Sequence, residues 1–266
     1  MWTTVYGRNL MLDVISKYIK SKISNKIEIA IVTGSGLSSL KNILTNSIII
    51  KYSDIPNYFN TTVEGHDGTF YFGQYNGKNI LIAVGRFHFY EGLSIDQVGY
   101  PIQLFKKLGA TKVILTNSAG CLQSNWTLGD IMVVNGHYDF TFRDSSQNPE
   151  LVNGPNYYCE SLIKKVLKIK PDLRIGNYGW VLGPMYETRA EIDNMKKNGV
   201  HSVGMSTVPE ILMAKKLKLD ILVLSLMSNY AIGLSNDDLS HQVVLDNSIK
   251  YNKNFKLLLL SILSEI

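Results

Sequence analysis

The chain has 266 residues, 45% of them hydrophobic and 18% charged, with seven Pro and a formal net charge of +5. That balance belongs to an ordinary folded protein with material for a large core, and it excludes a disordered chain. The positive excess is nearly all scattered Lys, the Arg being Arg8, Arg86, Arg143, Arg174 and Arg189, so no basic stripe forms and no nucleic-acid partner is expected.

Cys121 and Cys159 make neither a metal-ligand cluster nor a disulfide framework, which fits a reducing compartment. The amino terminus lacks the basic-then-apolar pattern of a signal peptide. The apolar run Leu257 to Leu260 is far too short to span a bilayer. A cytoplasmic protein with no membrane partner is therefore expected, and the length suits one α/β unit over residues 1–266.

Leu10, Met11, Val14, Ile15, Tyr18, Ile19 and Ile23 recur at helical spacing and predict an opening amphipathic helix. Ile27 to Thr33 reads as a buried strand running into Gly34-Ser35-Gly36-Leu37, with Ser38 and Ser39 leading into a helical stretch. A strand, a glycine turn and a helix start together offer backbone N–H groups to an anion, with Ser35 as a hydroxyl donor. The turn lacks the Lys of a Walker loop and the third Gly of a dinucleotide fingerprint. In the polar stretch from Lys51 to Gly68, His66 lies in Glu64-Gly65-His66-Asp67-Gly68 and suits either a loop ligand or a surface role.

Asn76-Gly77 between Phe70 to Tyr75 and Asn79 to Val84 predicts a hairpin whose second arm delivers Gly85-Arg86-Phe87-His88-Phe89-Tyr90-Glu91-Gly92. Arg86, His88 and Tyr90 would share one side of an extended chain, presenting a cation, an imidazole and a phenol to a small anion. The plainer alternative is a strand end with a surface ion pair to Glu91. Residues Asp96 to Leu108 follow helical spacing, and Lys112 to Asn117 predicts a strand ending in the small-residue turn Ser118-Ala119-Gly120. Several such turns at one end of a mostly parallel sheet are where open α/β folds bind ligands.

Ile131 to Val134 predicts a short strand, and the Gly, Asn and Pro containing stretch to Tyr158 a mobile loop and candidate lid. Tyr178 to Leu182 leads into Gly183-Pro184-Met185-Tyr186-Glu187-Thr188 before a helix near Arg189. There Glu187 could bond the edge of a heterocycle while Tyr186 packs on its face, or Glu187 could cap the helix. Val203 to Glu210 places Ser206 and Thr207 before Pro209, which suits a first helical turn. The apolar strand Ile221 to Met227 ends in Ser228-Asn229, and Ser240 is a candidate cap of a long final helix that begins with His241.

Taken in order, GSGL (34–37), EGH (64–66), GRFHFYEG (85–92), TNSAG (116–120), GPMYET (183–188), VGMSTVPE (203–210) and the tail from Ser228 to His241 resemble the trimeric, high-molecular-mass class of purine nucleoside phosphorylases. The resemblance covers the chain from about Ile27 onward. It implies a three-layer α/β/α domain with a central mixed, largely parallel sheet, assembled as a homotrimer. It also implies phosphorolysis, in which inorganic phosphate as co-substrate attacks C1′ of a purine nucleoside without a metal or other cofactor.

By that resemblance Ser35, Arg86, His88 and Ser206, with the backbone at Ser118 and more loosely His66, hold phosphate. Asn229 bonds N7 and O6 of the base, Glu187 its N1 edge, and Tyr186 packs on the ring. Tyr90 and Met205 line the ribose with Ala119 in the same nucleoside set, and His241 lies near the 5′-hydroxyl. His88, Glu187 and Asn229 are the expected catalytic residues. An amide at Asn229 can give its NH₂ to O6, which favours inosine and guanosine over adenosine. The related methylthioadenosine phosphorylases usually carry Asp at that position and lack the 5′-hydroxyl histidine, so Asn229 and His241 count against that activity. An idle binding protein with the same fold would not be expected to keep Ser35, Arg86, His88, Glu187, Ser206 and Asn229 together. Tyr230, Ser118 and Cys121 depart from the usual pattern, where Lys or a smaller apolar residue, Ala and Gly respectively are common. Phe142, Tyr157 and Tyr158 are candidates for an aromatic ring lent to a neighbouring subunit's ribose site.

Overall fold

The computed structural model describes residues 5–61, 67–143, 147–235 and 239–266. Helix α1 (Val5–Lys20) is followed by strand β1 (Ile29–Thr33), a short 3₁₀ turn (Ser38–Ile43) and strand β2 (Thr45–Lys51). The expected helix after Gly36 is thus only this turn. Leu40 and Ile43 anchor it in the core, and the β-branched run Ile48-Ile49-Ile50 then takes up an edge strand. The predicted hairpin forms as β3 (Thr69–Tyr75) and β4 (Lys78–Val84).

The helical stretch that follows is split into α2 (Ile95–Val98) and α3 (Tyr100–Leu108). The break falls at Gly99, where a Cβ would meet Met213 Cβ at 2.9 Å and the Pro209 carbonyl at 3.0 Å. Strand β5 (Lys112–Cys121) then runs straight through Ser118-Ala119-Gly120, where a turn was expected, because its last residues pair with neighbouring strands on both sides. Strand β6 (Ile131–Asp139) extends five residues past Val134 and pairs with β7 (Val152–Asn153), so part of the expected mobile loop is sheet.

The chain continues through α4 (Glu160–Ile169), β8 (Arg174–Trp180), α5 (Arg189–Lys197), β9 (Ser202–Gly204), α6 (Val208–Lys216), β10 (Asp220–Tyr230) and α7 (His241–Glu265). Thr188 caps α5 together with Glu191, which removes Glu187 from the capping role. Ser240 accepts the Val243 N–H as the expected cap of α7.

The central strands are apolar on both faces because both faces are covered. Ala30 and Val32 of β1, with Ile221 and Val223 of β10, pack in a cluster with residues of α1, α3 and α6. Ile29, Ile31, Leu222 and Leu224 alternate with them and pack in a second cluster with residues of α4 and α7. Strands β4, β1, β5 and β10 lie parallel and side by side, while half of the strand pairings among the described residues are antiparallel. One end of this mixed sheet closes on itself, since β5 pairs with both β10 and β9, and these are linked through β6 and β8. Among the described residues no helix is long and apolar enough to cross a membrane.

Candidate active site

Because β1, β4, β5 and β10 run parallel, the segments that leave their carboxyl ends meet at one edge of the sheet. They line a cleft that is open to solvent. Ser35, Arg86, His88, Ser118 and Ser206 stand on it, and so do Tyr90, Ala119, Tyr186, Glu187, Met205, Asn229 and His241. His66 lies outside the described residues.

The turn after β1 is possible because Gly34 has no side chain, since a Cβ there would sit 2.6 Å from Asn117 Cα. The Gly34 N–H donates to Thr116 Oγ1 at 3.3 Å. Ser118 donates its hydroxyl to the Ser35 carbonyl at 2.8 Å and lies 2.8 Å from the Ser248 hydroxyl of α7. Ser118 therefore ties the turn after β1 to the final helix.

Arg86 is 2% exposed, and its ion-pair partner is the buried Glu210 of α6 at 2.8 Å, so the plainer alternative of a surface ion pair to Glu91 does not hold. Its Nη1 donates to the Thr116 carbonyl at 2.7 Å. Burial raises the Glu210 carboxyl pKa, with Arg86 pulling the other way. Glu91 instead accepts the His88 backbone N–H at 2.7 Å and lies 3.1 Å from His88 Nδ1. The His88 ring stacks on Tyr90 with centroids 4.8 Å apart, and burial holds its pKa below the usual value against the pull of Glu91. A neutral His88 that donates from Nδ1 to Glu91 leaves Nε2 as an acceptor.

Ser206 is set by an uncommon turn. Thr207 has φ 76° and ψ −44°, and the Val208 N–H donates to the Ser206 carbonyl at 2.9 Å, which makes a γ-turn centred on a β-branched residue. Such a conformation costs about 1–3 kcal/mol and persists only where its surroundings impose it. Asn117 Nδ2 holds it by donating to Thr207 Oγ1 at 2.9 Å.

At the other end of the cleft the register of β10 against β5 shifts between Met227 and Asn229, which sets Asn229 opposite Gly120. Gly120 leaves room for the amide, since a Cβ there would lie 3.3 Å from Asn229 Nδ2. Ser228 donates to Asn229 Oδ1 at 2.9 Å, and Nδ2 donates to the Tyr230 carbonyl at 3.1 Å, so the amide is oriented before any ligand arrives. Glu187 is buried and its carboxyl pKa is raised, chiefly by burial. The Tyr90 phenol is pushed up to about 12 by burial and stays protonated as a donor.

Glu210, Asn117, Thr207 and Gly120 lie within the motifs TNSAG and VGMSTVPE, but the sequence assigned them no role in this site. Glu210 had a signal, a carboxylate in the otherwise apolar first turn of a helix, but its partner lies far away in the sequence. A family profile, the phosphorylase superfamily, matches residues 28–264. Purine nucleoside phosphorylase 1 of Bacillus subtilis is 35% identical over 265 residues, spanning 93% of this chain and 96% of the relative. Purine nucleoside phosphorylase 1 of Geobacillus stearothermophilus is 34% identical over 261 residues, spanning 92% and 93% respectively. The crystal structure of isoform 2 of purine nucleoside phosphorylase from Schistosoma mansoni, in complex with cytosine and ribose-1-phosphate, superposes with a TM-score of 0.86 at 30% identity, covering 97% of this chain and 96% of that one. The chain belongs to the phosphorylase superfamily and, within it, to the purine nucleoside phosphorylases.

Proposed function

We propose that this enzyme cleaves the glycosidic bond of 6-oxopurine nucleosides with inorganic phosphate, releasing the free base and pentose 1-phosphate. The observation that carries this reading is the meeting in one cleft of anion-binding groups, Ser35, Arg86, His88 and Ser206, with the polar pair Glu187 and Asn229. The ribose-1-phosphate bound by the Schistosoma relative is the product class that such a reaction makes.

Phosphate near neutral pH is largely dianionic and keeps one P–OH. Arg86 and the hydroxyls of Ser35 and Ser206 donate to its charged oxygens, and His88 Nε2 accepts the P–OH. Phosphate is thereby aimed at C1′, and its negative charge stabilises the oxocarbenium character that develops there. As the glycosidic bond breaks, its electron pair passes to the purine. Asn229 answers that charge by donating to O6, and its side-chain carbonyl accepts from N7–H once solvent water has given N7 a proton.

Glu187, when ionised, accepts N1–H, a donor that 6-oxopurines have and adenine lacks. Both contacts favour inosine and guanosine, since mispairing either leaves a buried polar group unsatisfied at a cost of roughly 1–3 kcal/mol. Tyr186 packs on the base, Tyr90, Ala119 and Met205 line the sugar, and His241 at the start of α7 bonds the 5′-hydroxyl. The site is placed on a homotrimer in which Phe142 reaches the neighbouring ribose. Phe142 is 45% exposed, whereas Tyr158 is buried against His137, and Lys215 binds the Tyr157 hydroxyl and lies over its ring.

The test is hypoxanthine release from inosine by purified protein with and without phosphate, beside adenosine and methylthioadenosine. Phosphate-dependent release, fastest from inosine, is expected. Release without phosphate would mean a hydrolase, and activity confined to methylthioadenosine would overturn the assignment of Asn229.

A further inference from the structure

Glu210 is the most deeply buried carboxylate at the cleft, yet it does not line it. It sits in the first turn of α6 and meets Arg86 at 2.8 Å, each side chain being 2% exposed. The Thr116 carbonyl of β5 takes the other terminal nitrogen of Arg86 at 2.7 Å. The guanidinium is therefore fixed from two elements before an anion enters. Asn117, next along β5, holds the Thr207 turn that sets Ser206. The start of α6 thus fixes both the cation and a hydroxyl of the phosphate end relative to each other.

Charge matters as much as orientation. A guanidinium in a low-dielectric cleft without a counter-ion would grip the phosphate co-substrate and the pentose phosphate product alike, and such uniform binding lowers KM without speeding the chemical step. A paired guanidinium keeps its directed N–H groups and loses most of that indiscriminate pull.

We infer that Glu210 is a positioning residue for phosphate use, aiming Arg86 and offsetting its charge so that phosphate is held by direction more than by net charge. This rests on the reading of Arg86 as a phosphate ligand.

Two substitutions separate the two parts. Glu210→Gln keeps a carbonyl acceptor for the guanidinium and removes the charge, so the KM for phosphate should fall at least threefold, with ribose 1-phosphate inhibiting more strongly. Glu210→Met removes both and should raise the phosphate KM at least tenfold, with the nucleoside KM unchanged within twofold. A phosphate KM in Glu210→Met within twofold of the parent, or an equal rise for nucleoside, would overturn the positioning role. An unchanged or raised phosphate KM in Glu210→Gln would overturn the charge offset.

Because a lone buried Arg86 can prevent folding, Arg86→Met/Glu210→Met and Arg86→Met/Glu210→Gln complete the test, neither leaving a buried charge unpaired. With Arg86 gone, the residue at 210 should not matter, and a phosphate KM differing more than threefold between these two variants would overturn the inference. If instead both saturate with phosphate as the parent does, the assignment of Arg86 itself has failed.

Discussion

At the phosphate end of the cleft Arg86, His88 and Ser206 are buried on strand ends and a helix start, and Glu210, Glu91 and the Thr207 turn hold them. At the nucleoside end Tyr186 and Met205 are only half-buried and His241 is exposed, and Met185 beside Tyr186 is 81% exposed. Asn229, Glu187 and the small Ala119 are the buried exceptions there. The contrast has a chemical reason. Phosphate is one invariant anion that must be aimed at a carbon, so its donors gain from rigidity, whereas a nucleoside has to enter and leave past its own contacts.

The comparison can be broken most forcefully at Arg86. Arg86→Ala should lower kcat/KM for phosphate by about 10²–10³-fold, the size seen when one fixed charge-stabilising donor is removed. It should also cost roughly 3–5 kcal/mol of stability by leaving Glu210 buried and unpaired, visible as a lower melting temperature. Normal phosphate saturation in a folded variant would take Arg86 out of the site.

Asn229→Asp tests the base edge. A carboxylate facing O6 replaces a donor by an acceptor, and the inosine to adenosine ratio of kcat/KM should fall by about 10²-fold, corresponding to roughly 3 kcal/mol. A ratio that does not move would leave O6 to some other group.

A milder probe is pH. The Glu187 carboxyl titrates above its ordinary range because it is buried, and it must be ionised to accept N1–H. As pH falls through that raised value, Glu187 protonates and the acceptor is lost. Inosine kcat/KM should therefore decline on the acid side with a midpoint above 4.5, and Glu187→Gln should lack that limb. Persistence of the same limb in the variant would assign it elsewhere.

The smallest effect is expected at exposed His241. His241→Ala should cost inosine about fivefold, near 1 kcal/mol, and leave 5′-deoxyinosine untouched. An equal loss on both substrates would mean that His241 acts on folding or on the start of α7.

Much of the fold and most of the cleft were legible in the chain because they are written locally. Asn76-Gly77 specified its hairpin, Pro209 the start of α6 and Ser240 the cap of α7, each through dihedral preferences or a hydrogen bond within four residues. Gly85 through Tyr90 likewise carried Arg86, His88 and Tyr90 to the sheet edge, although Tyr90 arrives in a 3₁₀ turn (Phe89–Glu91) and not on the extended chain that was expected. Tertiary structure decided what lies across space. It extended β5 through Ser118 to Cys121 by supplying partners on both sides, and it split the helix at Gly99 where α6 comes too close for a side chain. It also gave Arg86 to Glu210 and left Glu91 to His88. Spacing along the chain governs which residues share a face, but the partner of a buried charge is chosen by whichever acceptor the packed sheet and helices bring within reach of it.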